Sequence, residues 1–135
     1  MRVRVAVICV ACLLAVGCAG MPAEPRETTM LSAGSWSGDG CLSVAAREEC
    51  QLIVGCGHGI FPQPVVRADG TFDVDGTYRV EAGPISNTPA PPAKFSGVVR
   101  GQTLTLTVTP SDGSRPASYT LQFTSASGRC VTACV

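Results

Sequence analysis

The chain has 135 residues, ten Lys or Arg against ten Asp or Glu, a single histidine and eight cysteines. Zero net charge with no basic run excludes the clustered cationic surface that a nucleic-acid partner needs to displace counterions. The length leaves room for one compact core and not for two.

Arg2 and Arg4 precede an uncharged apolar run from Val5 to Val16, followed by small residues. This is the plan of an export signal, and it is too short for a permanent membrane span, which needs about 20 apolar residues. Leu14-Ala15-Val16-Gly17-Cys18 resembles the lipobox of bacterial lipoprotein signal peptides, with Ala15 where that family usually has leucine. The resemblance implies removal of residues 1–17, a diacylglycerol thioether on Cys18, and retention on a membrane by two or three acyl chains, each contributing about 0.8 kcal/mol per buried CH₂. Ala19 stands where an aspartate would resemble the inner-membrane retention signal of Gram-negative bacteria. The expected location is therefore the cell envelope, on the extracytoplasmic side of an outer or plasma membrane. Cleavage removes two arginines and leaves eight basic against ten acidic residues, a net charge of about −2. Residues 18–33, with Pro22 and Pro25 among small polar residues, read as a flexible tether. Residues 34–135 remain as one domain.

Within that domain, alternation with period two is the dominant signal. In QTLTLTVTP, Leu104, Leu106 and Val108 oppose Thr103, Thr105, Thr107 and Thr109. In SYTLQFT, Tyr119, Leu121 and Phe123 oppose Ser118, Thr120, Gln122 and Thr124. In CQLIVGC, Leu52 and Val54 are in phase with Cys50 and Cys56. Each pattern is that of a half-buried antiparallel strand. Asp69-Gly70, Asp75-Gly76, Arg100-Gly101 and Pro110-Ser111-Asp112-Gly113 mark turns between them. Strands are expected at 34–38, 41–46, 50–56, 64–68, 71–81 with a kink at Gly76, 94–100, 102–109 and 117–124, with a short return at 130–134. One helical turn around Arg47-Glu48-Glu49 is the only helical signal. Sequential hairpins in so small an all-β chain predict a closed up-and-down antiparallel barrel of seven or eight strands, with an open β-sandwich as the alternative.

Gly34-Ser35-Trp36 at the start of the first strand resembles the opening motif of lipocalins and the wider calycin group, eight-stranded barrels that include ligand carriers and small bacterial protease inhibitors. That likeness implies an arginine packed over the tryptophan, and Arg129 is the residue placed for it. Trp36-x-Gly38, Cys56-x-His58-Gly59-x-x-x-Gln63-Pro64, Gly70-x-Phe72-x-x-x-Gly76-Thr77-Tyr78 and Phe95-Ser96-Gly97-x-Val99-x-Gly101 are similar to a set of small bacterial envelope lipoproteins with no assigned activity. That second likeness implies an envelope β-domain and leaves function open.

With Cys9 and Cys12 removed and Cys18 lipidated, five cysteines remain in an oxidising compartment, where disulfides persist. The expected pairs are Cys56 with Cys134 and Cys41 with Cys50, leaving Cys130 free. Parity argues against the second pair, because Cys50 is in phase with Leu52 while Cys41 is out of phase with Leu42 and Val44, so Cys50 with Cys130 stays open. Closing about 79 residues between Cys56 and Cys134 would add roughly 4 to 5 kcal/mol of stability. A sharper reading joins Cys56, His58, Cys130 and Cys134 as a zinc set. Its spacing matches no recognised motif, and thiolates in an oxidising compartment are lost to disulfides, so no metal and no cofactor is expected. A Cys56–His58 nucleophile pair fails on distance, since same-face neighbours two apart on a strand are about 7 Å apart. His58 is expected at an exposed glycine-rich turn.

Asp73, Asp75 and Gly76 mimic part of a calcium loop, but Thr71 and Ala82 stand where its first and last carboxylates belong. GSWSG places Trp36 where a nucleophile elbow needs serine. No phosphate-binding glycine loop accompanies the single lysine, Lys94. The reading is a monomeric, non-enzymatic binding module for a small apolar ligand or an envelope protein. The alternative is an inhibitor or partner of an envelope protease or lytic enzyme, using the proline-rich loop 82–94. The carrier requires a cavity inside the barrel, whereas the inhibitor predicts a filled barrel and a rigid loop.

Overall fold

A computed structural model describes residues 20, 28–81, 88–126 and 130. Ten strands occur among them: β1 (Thr29–Met30), β2 (Gly34–Gly38), β3 (Cys41–Val44), β4 (Glu49–Val54), β5 (Gly57–Pro62), β6 (Val65–Val66), β7 (Thr71–Val80), β8 (Pro92–Arg100), β9 (Thr103–Pro110) and β10 (Ala117–Ser125). Eight of them form a closed barrel in the order β10-β2-β3-β4-β5-β7-β8-β9, and β1 with β6 forms a separate two-stranded ribbon. Every pairing is antiparallel. The expected small up-and-down barrel is therefore the fold. It closes where β10 meets β2, with Phe123 opposite Trp36 and Leu121 opposite Gly38.

Alternation does the work that the sequence pattern promised. Leu104, Leu106 and Val108 from β9 point inward and meet Leu121 from β10, Phe95 from β8, Leu52 from β4 and Leu42 from β3, all at 1% exposure or less. Eight strands leave an interior just wide enough for side chains to fill, and here they fill it. The threonines opposite face solvent, where Thr107 bonds Ser118 at 2.7 Å and Thr103 donates to Gln122 Oε1 at 3.0 Å across the β9–β10 pair.

Four expectations give way. First, β5 is a full barrel strand, and His58 lies within it rather than at a turn. The turn sits one step earlier, at Gly55, whose φ of 56° suits glycine. Inward positions of β5 are Gly57, Gly59 and Phe61, so two glycines stand where apolar side chains would have announced a strand. Their places are taken by neighbours: a Cβ on Gly59 would sit 2.9 Å from the Phe95 ring, and one on Gly57 would overlap the Tyr78 hydroxyl. Second, the strand expected at 64–68 shrinks to β6, which pairs only with β1 and stays outside the barrel wall. Third, the folded unit begins before Gly34, in what read as tether. Leu31 is 1% exposed; its N–H donates to Pro64 O at 2.9 Å and its carbonyl accepts from Gln63 Nε2 at 2.7 Å. The Arg47-Glu48-Glu49 stretch makes a turn, not a helix, with Arg47 at φ 62° and its N–H donating to Gln63 Oε1 at 2.8 Å.

Candidate functional site

The two ends of the barrel differ. One end, where β2 begins and β10 finishes, is sealed. Leu31 and Val66 lie over it, Trp36 Nε1 donates to Ser32 O at 3.1 Å, and the Trp36 ring meets Phe123 edge-on at a centroid distance of 5.2 Å. Gln63 ties the β3–β4 turn to Leu31 from below. At the other end, where β7 leads toward β8 and β9 turns into β10, a cleft of about 450 Å³ opens between the two connections.

Its floor is Tyr78, Tyr119, Val108 and Ala117, its walls carry Pro89, Pro91 and Pro110, and its rim bears Arg79, Thr88, Asp112, Ser114 and Arg115. The floor follows from strand parity. Tyr78 on β7 and Tyr119 on β10 are in phase with the buried rows Phe72 and Leu121, so both rings point inward near their strand ends. Burial pushes the Tyr78 hydroxyl up to about 12, and its hydrogen bond with Tyr119 adds to the shift. On the rim, Arg79 Nη2 donates to the carbonyl and, at 3.3 Å, to the hydroxyl of Thr88, which fixes one side of the cleft. Asp112 accepts from Ser114 N at 2.8 Å and caps its own turn; hydrogen bonds from Ser114, the side chain's first, hold its carboxyl below the usual range.

Another concavity of about 460 Å³ lies on the outer wall beside Cys130. Ser43, Ala45, Glu48, Glu49 and Gln51 line it, and its surface is predominantly polar. A third concavity of about 360 Å³ has Phe72, Arg67 and Asp73 in its lining, with that cation and carboxylate paired to each other; the mouth offers two aromatic side chains beneath a charged rim.

The cysteines correct one expected pairing. Cys41 is bonded to Cys130, with Cα atoms 5.6 Å apart across a separation of 89 residues, and Cys50 is a free, buried thiol. The register explains why Cys41 does not bond Cys50. On the β3–β4 ladder Cys50 stands opposite Val44, three residues along from Cys41, and faces the core while Cys41 faces outward. Three residues of strand are about 10 Å, beyond any disulfide. The parity objection in the sequence therefore pointed the right way, and Cys130 is not the free thiol. Burial pushes the Cys50 thiol up to about 12, which makes it a core side chain and not a nucleophile. Cys56 is also disulfide-bonded. Cys134, its expected partner, lies outside the described residues, as do Cys18 and Arg129.

Two of the four candidate zinc ligands, Cys56 and Cys130, are consumed in disulfides. His58 projects from the outer face of β5, 38% exposed, with Nε2 3.6 Å from a Glu81 carboxylate oxygen. Asp73 and Asp75 lie on the solvated face of β7, Asp73 accepting from Arg67 at 2.6 Å and Asp75 lying 4.0 Å from Lys94. No group of three metal-ligating side chains occurs among the described residues. The mouth itself was not legible as a site. Tyr119 read as core filling and Arg115 carried no signal, although strand phase and hairpin order together place Tyr78 and Tyr119 at the same end.

Comparison with protein-family models, curated proteins and solved structures returns no significant match.

Proposed function

We propose that the chain is a lipid-anchored, extracytoplasmic, non-catalytic binding module, held to a bacterial membrane through Cys18 and presenting the open mouth of its barrel as the binding surface. The asymmetry of the two ends carries this reading. The N-terminal segment enters at the sealed end, where Leu31 is buried, so a tether from Cys18 leaves the mouth at the far end, directed away from the membrane. The export signal and the lipobox resemblance support the anchor, and two disulfide-bonded sites suit an oxidising compartment. The filled interior argues for a ligand held in the mouth and not one swallowed along the axis.

In a bacterium that processes lipoproteins, the chain should fractionate with membranes and incorporate an alkyne-tagged fatty acid, and Cys18→Ser should lose both. A soluble, unlabelled wild-type chain would overturn the anchor. For binding, a small-molecule library screened by NMR against the exported Cys18→Ser chain should move signals of Tyr78, Val108 and Tyr119. Shifts confined to other surfaces would overturn the mouth.

A second reading, an inhibitor or partner of an envelope protease or lytic enzyme, draws support from that same filled interior and from the Arg79 clamp on Thr88. In that case a partner would bury Pro89 and Pro91, and substitutions there would weaken capture of the partner without affecting small molecules.

A further inference from the structure

We infer that the mouth takes a flat aromatic molecule bearing one carboxylate, its ring laid against the hydrogen-bonded Tyr78–Tyr119 pair and its carboxylate on Arg115. The inference rests on the mouth being the binding surface and names what that surface selects.

Depth is the first argument. Below the tyrosines the barrel axis is closed by Leu52, Phe95, Leu106 and Leu121, each without exposed surface. An alkyl chain needs a channel to extend into, and packing at this density offers none. The cleft lies above that packing, and its lining includes two tyrosine and three proline rings beside Val80, Val108 and Ala117. A flat ligand ring gains most there by offset or edge-on contact with the tyrosines.

Charge is the second argument. The rim carries Arg79, Arg115 and Asp112. Arg79 is engaged with Thr88, and the Asp112 carboxylate is turned toward Ser114. Nearby Glu81 faces His58. Arg115, among the described residues, makes no ion pair. One guanidinium fork matches one carboxylate in bidentate fashion, whereas a dianionic phosphate would call for more than one such cation. The exposed rim limits the gain, because solvent screens the pair.

The test is an NMR titration of the exported Cys18→Ser chain with 3-phenylpropionate, with its neutral counterpart 3-phenylpropan-1-ol, and with octanoate. The acid should shift the Tyr78, Val108 and Tyr119 signals and bind about fivefold more tightly than the alcohol, the scale of an exposed ion pair. Arg115→Gln should abolish that preference, bringing the acid down to the alcohol's affinity, and Arg115→Lys should restore part of it. Equal binding of acid and alcohol at the mouth, or indifference to Arg115→Gln, overturns the carboxylate while the mouth stands. Octanoate binding more tightly than the aromatic acid overturns the flat ring. If none of the three probes moves the mouth signals, the inference and the binding surface fall together.

Discussion

Removing the Cys41–Cys130 bond is the perturbation with the largest expected effect and the clearest opposing expectation. Cross-linking residues 89 apart lowers the entropy of the denatured chain by an amount worth about 4.6 kcal/mol at 25 °C in the loop-closure account. A domain of this size has a total stability of about 5–15 kcal/mol. That figure is a ceiling, because Cys56 is cross-linked as well and keeps the denatured chain partly constrained in its absence. Cys130→Ser and Cys41→Ser should each cost several kcal/mol, and the double variant should cost no more than either alone, since both remove the same bond. Cys50→Ala removes one buried sulfur from the core and should cost only about 1–2 kcal/mol.

Equilibrium urea unfolding of the exported Cys18→Ser chain measures all four, and the m-value should rise when the bond is lost and the denatured chain expands. The opposite ranking would refute the reasoning. If Cys130→Ser left stability unchanged while Cys50→Ala lowered it by several kcal/mol, Cys41 would be bonded to Cys50 and the β3–β4 register would be wrong by several residues.

Gly97→Ala should destabilise the fold by roughly 1–3 kcal/mol in the same assay, because its Cβ would overlap the buried Phe72 ring directly opposite on β7. Tyr78 is held protonated in the fold up to about pH 12 against an ordinary value near 10. Its contribution to stability is therefore complete below pH 10 and is lost as pH rises from 10 to 12. Absorbance titration at 295 nm should show a late-ionising tyrosine that disappears in Tyr78→Phe, and a normal titration of Tyr78 would contradict its burial. His58→Ala should change stability by no more than about 0.5 kcal/mol, since its ion pair with Glu81 is long and solvent-exposed; a larger loss would mean that the outer face of β5 is covered by something structural.

The strands that were legible are those whose inward residues are large. β9 and β10 alternate leucine, valine, tyrosine and phenylalanine with threonine and serine, and their turn carries Asp112-Gly113. β5 was not legible because the apolar groups that fill its inner face belong to other strands. Phe95 fills the place of a side chain at Gly59 and Tyr78 the place at Gly57, so the local pattern GHGIFP shows glycine where the barrel has aromatic density. Only Phe61, in phase with the two glycines, carried the signal. The sealing of one end was hidden for a related reason. Leu31 looked like part of a polar segment, and its burial depends on Gln63 and Pro64, more than thirty residues away in sequence. Disulfide pairing was half legible. Parity separates Cys41 from Cys50, but choosing Cys130 requires knowing where the chain runs after β10 returns to the sealed end.

The distribution of large and small inward residues explains why the barrel has one open end at all. Toward the sealed end the inner rows carry Trp36, Phe61, Phe72 and Phe123, and the β1–β6 ribbon adds Leu31 and Val66 above them. Toward the other end the corresponding positions are Gly57, Ala93 and Ala117, Val80 is exposed, and Tyr78 and Tyr119 are the aromatic residues. A closed eight-stranded wall has nearly the same circumference throughout, so fewer side-chain atoms at one end leave a hollow there. The tyrosines partly fill it, and their hydroxyls can stand near water without the penalty that would attach to them deeper in the core. An unbroken ring of leucines at that end would have sealed it with more apolar burial. The residues there are instead glycine, alanine, valine and tyrosine, with Arg79 and Arg115 on the rim, which is the composition the proposed ligand requires.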